Sequence, residues 1–217
     1  MPDEPLELRP MRSRDAEDLA TLRLATAEAG LLTAIGRRPL EVFFRLAADD
    51  PDTIGFVARE DGPLLGYALC TTAAVRLQRS AIRSSPWLWL AAAALAIRDP
   101  RLLGSAIRRL RALASPRRVP QDVEPALRLF DIAVTQDSRG RGLGRRLLDA
   151  TIAAARERGY PAMGLSVLAD NERALRLYGS SGFVPNQRGV RDDGQTYITM
   201  RLSLKMSGEP EGSDAGS

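Results

Sequence analysis

The chain has 217 residues, 44% hydrophobic and 27% charged, the proportions of a globular domain long enough to bury a proper core. Its net charge is +4, it has no histidine and Lys205 is its only lysine, so almost all positive charge is arginine, which binds anions but cannot act as a base near neutral pH. One cysteine, Cys70, excludes an internal disulfide framework and fits a reducing compartment; with no histidine to activate it, it reads as a buried packing residue. Acids and bases are interleaved and no nucleic-acid motif appears, so the basic balance is a solvated arginine surface rather than a nucleic-acid footprint.

The acidic start, Met1-Pro2-Asp3-Glu4, has no apolar run behind it, which predicts no secretory leader and a cytoplasmic protein. Residues 6–11 read as a first strand, and Asp15, followed by Glu17 and Asp18, opens a helix running to about residue 29. A loop over 30–38 leads to a short helix over 39–48. Residues 53–59 and 64–72 form a hairpin across Glu60-Asp61-Gly62-Pro63, placing two antiparallel strands in a mixed sheet.

Residues 76–123 break this pattern. A run from Trp87 to Ile97 and another from Arg101 to Leu113, divided by Asp99-Pro100, predict an inserted helical hairpin. The first run is too short for a membrane span of roughly 20 residues. The second sets Arg101, Arg108, Arg109 and Arg111 beside Leu102, Leu103, Ile107 and Leu110. Three placements stay open: a cover over a substrate pocket, a homodimer interface, or a contact with an anionic membrane surface or acidic carrier protein.

Residues 129–134 read as a buried strand interrupted by Asp131, and residues 143–158 as a helix. Leu143, Leu147 and Thr151 form one apolar row and Leu148, Ile152 and Ala155 the next, while Gly159 and Pro161 mark the helix end. Between strand and helix lies Arg139-Gly140-Arg141-Gly142-Leu143-Gly144. Its glycines let backbone approach a ligand, its helix start presents amides without intrahelical acceptors, and its arginines add charge; together they predict a phosphate site. The bland alternative is a glycine-rich turn with solvated arginines. A P-loop is excluded because no Lys-Ser/Thr pair follows, and a dinucleotide fingerprint because the spacing is G-x-G-x-G. Residues 163–168 then read as a strand, Asn171 as the cap of a helix carrying Tyr178 two turns on, and 183–190 and 197–204 as closing strands across Arg191-Asp192-Asp193-Gly194. Residues 206–217 have the composition of a disordered tail after a single domain spanning 1–205.

Arg139-x-x-Gly142-x-Gly144 on a strand, turn and helix resembles the acyl-CoA signature of the GNAT superfamily of N-acyltransferases. Asn171-x-x-Ala174-x-x-Leu177-Tyr178-x-x-x-Gly182-Phe183 is similar to a second motif of that family, in the order the family requires. The likeness covers about 129–184, is fair over the N-terminal region and is absent between about 76 and 124.

The resemblance implies an α/β GNAT fold, a mixed, mostly antiparallel sheet flanked by helices, here with the inserted helical hairpin. It implies acetyl-CoA and no metal. The cofactor-binding residues would be Ile132, Ala133, Val134, Arg139, Gly140, Arg141, Gly142, Leu143, Gly144, Arg145, Asn171 and Tyr178. The same likeness makes the Tyr178 phenol the proton donor to the departing thiolate and puts a backbone N–H near Val134 on the thioester oxygen. It also places the acceptor beside the N-terminal helices, where Glu28, Glu41, Phe43 and Phe44 are candidate lining residues or, alternatively, surface carboxylates and a core pair. Asp131 is the candidate base, because a carboxylate partly withdrawn from water holds a proton more tightly; an aspartate at the sheet's wet face or paired with an arginine is the alternative. The expected reaction is direct attack by a primary amine of a small molecule on acetyl-CoA. A protein lysine or N-terminal acceptor and a non-catalytic acyl-CoA-binding module remain alternatives.

Overall fold

A computed structural model of the chain describes residues 6–26, 36–83, 127–190 and 194–204. The described residues form a seven-stranded sheet in the order β1-β2-β3-β4-β5-β7-β6. The strands are β1 Glu7–Pro10, β2 Thr53–Arg59, β3 Leu64–Thr71, β4 Leu127–Val134, β5 Ala162–Leu168, β6 Val184–Val190 and β7 Thr196–Ser203. Neighbours are antiparallel except β4 and β5. The helices are α1 Ala16–Thr26, α2 Arg37–Ala48, α3 Ala74–Arg83, α4 Leu143–Glu157 and α5 Glu172–Ser180. The predicted mixed, mostly antiparallel α/β architecture is thus what the chain adopts.

Both faces of the central strands are covered. Ala68 and Cys70 of β3, Leu127 and Leu129 of β4, and Met163 of β5 pack with Leu147, Leu148 and Ile152 of α4. On the opposite face, Val57, Tyr67 and Leu69 meet Leu19 of α1, Leu40, Phe43 and Phe44 of α2, and Leu77 of α3. Double-sided burial is why β3 reads as an almost unbroken apolar run rather than an alternating one.

Asp15 does not open the first helix, as the sequence predicts. Residues Ser13–Asp15 form a 3₁₀ turn and the α-helix begins at Ala16. Asp15 is buried and receives both ends of the Arg9 guanidinium at 2.8 Å, the Arg12 amide at 2.9 Å and Arg59 at 3.0 Å, joining β1, β2 and the start of α1. The second helix starts two residues early, at Arg37, where Gly36 with φ +96° turns the chain and Arg37 pairs with Glu41 at 2.8 Å. Phe43 and Phe44 are a buried edge-to-face pair, the core alternative for those two positions.

The supposed insertion also begins differently. Immediately after β3, α3 runs Ala74–Arg83 and turns Leu77 and Ala81, four residues apart, into the core beside α2. The predicted hairpin over 87–113, Glu28, residues 191–193 and the tail all lie outside the described residues. Among the described residues, no helix is long and apolar enough to cross a membrane.

Candidate active site

The site is built around a place where the sheet stops being a sheet. β4 and β5 pair only at Leu127 with Met163 and Arg128 with Gly164, although β4 continues to Val134 and β5 to Leu168. β3 stays with β4 as far as Val134 and β7 stays with β5 along its whole length. The parallel pair therefore splays into a wedge whose lips are strand edges. Thr135 N–H donates to Leu65 C=O at 2.8 Å, towards β3. Strand alternation then turns the Ile132 and Val134 amides the other way, into the wedge, with Val134 nearest its mouth.

A β-bulge lies between the β3 partners Leu69 and Cys70, so Asp131 pairs with Leu69 while Leu129 pairs with Cys70, and Phe130 is the extra residue. The bulge puts Phe130 and Asp131 on the face of α1 and α2. There Asp131 Oδ2 accepts from the Tyr67 hydroxyl at 2.5 Å and forms an ion pair with Arg23 Nε of α1 at 3.0 Å. Burial pushes the Asp131 carboxyl above its ordinary value, against the pull of Arg23, the Tyr67 hydroxyl and the Ile132 amide. Burial and the neighbouring Asp131 also push the Tyr67 phenol well up, so it stays a donor. Asp131 combines both readings of the sequence: it is paired with an arginine and it is desolvated.

At the wedge mouth the chain makes a short 3₁₀ turn, Gln136–Ser138, and enters the glycine loop. Gly140 has φ +86° and Gly142 φ +73°, a conformation in which a side chain is strained. Gly142 is the N-cap of α4, has no side-chain cap, and its carbonyl accepts the first helical bond, from Arg146 N–H at 3.1 Å. The amides of Leu143, Gly144 and Arg145 precede that bond and point outward along the helix axis. A Cβ on Gly140 or Gly142 would meet no heavy atom within 4 Å, so the loop faces open space, and a phosphate-bearing group fits there. Gly144 only touches Leu177 and Val134 at ordinary distances.

The arginines divide. Arg139 is exposed at the loop. Arg141 makes a forked pair with Glu60 of the β2–β3 turn at 2.8 and 3.0 Å, which holds that carboxyl below its ordinary value. Arg145 bonds Asp149 at 2.9 Å and reaches Ser180 O and Oγ at 3.1 and 3.0 Å, tying the start of α4 to the end of α5. Arg145 is therefore a brace between helices.

Asn171 caps α5 as predicted, its Oδ1 accepting from Ala174 N–H at 3.1 Å, and its amide nitrogen remains a donor at an exposed helix start. Tyr178 differs from it in setting. Its ring is buried edge-to-face on Phe183, 5.9 Å between centroids, so the two residues share a helical row but not an exposure. Among the described residues the Tyr178 hydroxyl makes no hydrogen bond, and it is not among the side-chain atoms sealed from solvent without one, which are Arg59 Nε and Thr135 Oγ1. The hydroxyl thus keeps some contact with solvent. Burial, then the Asp131 charge, pushes it up to about 12, so it holds its proton at neutral pH.

The pattern of the acetyltransferase (GNAT) family matches residues 20–183. The chain belongs to the GNAT family. The structure of the ribosomal-protein-S18-alanine N-acetyltransferase from Escherichia coli superposes with a TM-score of 0.58 at 19% identity, covering 95% of this chain and 99% of that one. A putative acetyltransferase from Salmonella typhimurium, solved with its cofactor acetyl-CoA, superposes at 0.60 and 16%, covering 96% and 99%. These establish a shared GNAT fold. In sequence, the mycothiol acetyltransferase of Jonesia denitrificans is 42% identical over 65 residues, 30% of this chain and 21% of that protein. The ribosomal protein bS18 alanine N-acetyltransferase of Escherichia coli K12 is 38% identical over 85 residues, 36% of this chain and 56% of that protein. The chain thus matches about a fifth of the first relative's length and just over half of the second's.

Within this GNAT chain the fold brings together three residues that sequence reading passed over. Tyr67 and Arg23 complete the surroundings of Asp131, and Gly66, opposite Val134, allows close approach, since a Cβ there would lie 2.8 Å from the Ala133 carbonyl oxygen. The one sequence signal for Tyr67 is a hydroxyl within the apolar run Leu64–Thr71.

Proposed function

We propose that this GNAT chain is an acetyl-CoA-dependent N-acetyltransferase that acylates a primary amine of a small molecule by direct attack. The observation that supports the reading is the Tyr178 hydroxyl, without a hydrogen bond among the described residues and close enough to feel the charge of the desolvated Asp131, on a sheet whose β4 and β5 part after two residue pairs. When bound, acetyl-CoA supplies an activated acyl carbonyl and a thiolate leaving group. The amides of Leu143, Gly144 and Arg145, the glycine backbone around Gly140 and Gly142, and the Arg139 charge hold its phosphates. The side-chain amide of Asn171 and the wedge edge at Ile132, Ala133 and Val134 orient the arm that follows, and Val134 N–H polarises the carbonyl oxygen.

Asp131 binds Tyr67 and Arg23 through Oδ2, which leaves Oδ1 to take a proton from the incoming ammonium, directly or through one water. The Tyr178 hydroxyl gives its proton to the sulfur. Alignment of two reactants supplies roughly 7–11 kcal/mol of the barrier, enough that no covalent acyl-enzyme is required.

Thiol release from acetyl-CoA across a panel of small amines, with a peptide N-terminus and a protein lysine as competing acceptors, tests this. Turnover of small amines with CoA binding by calorimetry is the expected result. Turnover of the peptide alone would move the acceptor to the class named for the bS18 enzyme, and CoA binding without turnover would leave a binding module.

A further inference from the structure

Arg128 is a partly buried arginine that meets no counter-ion among the described residues. It lies on β4 between Leu127 and Leu129, which face α4, so its side chain is on the opposite face, the one that carries Asp131. Among the described residues its one hydrogen bond is from Nη2 to Ser166 Oγ of β5 at 3.1 Å, and no carboxylate of those residues pairs with it. Desolvation alone lowers its pKa from the ordinary arginine value. A guanidinium withdrawn from water normally has an acidic partner, because the desolvation is otherwise uncompensated.

The geometry says where the missing anion belongs. Carried on from Leu127 with Met163 and Arg128 with Gly164, the β4–β5 register sets Ser166 level with Phe130, the bulge residue beside Asp131. By bonding Ser166, the Arg128 guanidinium bridges the wedge just where the backbone ladder has ended. Next to it Gly164 leaves room: a Cβ there would meet only the Met200 carbonyl oxygen, at 3.9 Å. Across Gly164 on β7 stands Arg201, exposed and likewise without an acidic partner among the described residues.

We propose that Arg128, aimed by Ser166 and backed by Arg201, is a subsite for a carboxylate carried by the acceptor, so that this enzyme selects amines bearing a carboxylate a few bonds from the nitrogen. This rests on the wedge at Asp131 being where the amine is acylated. The acceptor then enters with opposite ends matched, its ammonium towards Asp131 Oδ1 and its carboxylate in the fork of Arg128.

The test compares L-amino acids with their carboxamides as acceptors for wild type, Arg128→Gln, Arg128→Lys and Ser166→Ala, with CoA binding measured by calorimetry as the check on folding. The wild type prefers the acid by tenfold or more in kcat/KM, chiefly through KM. In R128Q that preference collapses, and R128K recovers part of it because a point charge replaces a fork. Binding of an N-acetyl amino acid, but not its amide, to the wild type in the presence of CoA gives the same answer without turnover. Equal handling of acid and amide by the wild type, absence of binding by every carboxylate tried, or an R128Q loss of kcat that is the same for both acceptors overturns the proposal while leaving the acetyltransferase reading intact. Failure to bind CoA or release thiol with any amine overturns both.

Discussion

The Tyr178 phenol and the Asp131 carboxyl are displaced in the same direction, upward, by burial, and this suits the opposite tasks proposed for them. A phenol raised to about 12 is a donor at every physiological pH, so Tyr178→Phe should lower kcat by about a hundredfold or more while leaving the Kd of acyl-CoA nearly unchanged. Single-turnover thiol release against calorimetric binding separates the two; parallel losses would make Tyr178 a packing residue only. For Asp131 the sign is different. A base must be ionised, so its raised pKa places the acidic limb of kcat/KM above the ordinary aspartate value of 3.8, and Asp131→Asn should abolish that limb along with most activity. Arg23 pulls the same carboxyl down, so Arg23→Gln should move the limb to higher pH. A pH profile unchanged in either variant would take Asp131 out of the chemistry.

At the scale of the element, the helix that follows the glycine loop was legible because its signals are local. Leu143, Leu147, Leu148, Thr151, Ile152 and Ala155 are all buried, as their spacing predicts, and Gly159 takes φ +73° just past the helix end. The loop itself is set by backbone conformation rather than crowding: Gly142 needs a left-handed φ and nothing occupies the space before it. Gly142→Val should therefore destabilise the fold by about 1–2 kcal/mol and weaken CoA binding beyond what that loss explains. Chemical denaturation and calorimetry on the same variant measure the two effects, and native-like CoA affinity would mean the loop does not face the phosphates. Asn171→Ala should cost about 1 kcal/mol through the lost cap of α5.

For the molecule as a whole, the tie between the N-terminal elements and the sheet is Asp15. Burial pushes its carboxyl up, but Arg9, the Arg12 amide and Arg59 outweigh this and hold it at about 2. A folded pKa below the unfolded one means stability that is present above pH 3.8 and lost as pH falls towards 2. The contribution is about 2 kcal/mol, and Asp15→Asn should flatten the stability profile over that window, as followed by urea denaturation at stepped pH. Loss in the variant exceeding that amount is expected, because Arg9 and Arg59 keep their charges without the buried partner. Asp131 acts in the opposite sense: its raised pKa makes the folded state less favourable once it ionises, a cost located in the wedge and offset by the core on both sides of the sheet.

Chain-local physics was enough to determine the glycine loop, the helix caps, the hairpin and the family likeness, since each depends on residues a few positions apart. Where helices began was less well determined, because Asp15 was drawn into a tertiary ion network and Gly36 released the chain into α2 two residues before the predicted start. The surroundings of the two titrating groups were decided only by the fold. Tyr67 reaches Asp131 across 64 positions and Arg128 reaches Ser166 across 38, and both contacts depend on one bulge and on two parallel strands that part after two residue pairs. Periodicity registers which face a side chain takes; it carries no information about where neighbouring strands cease to touch, and that separation shapes the proposed site.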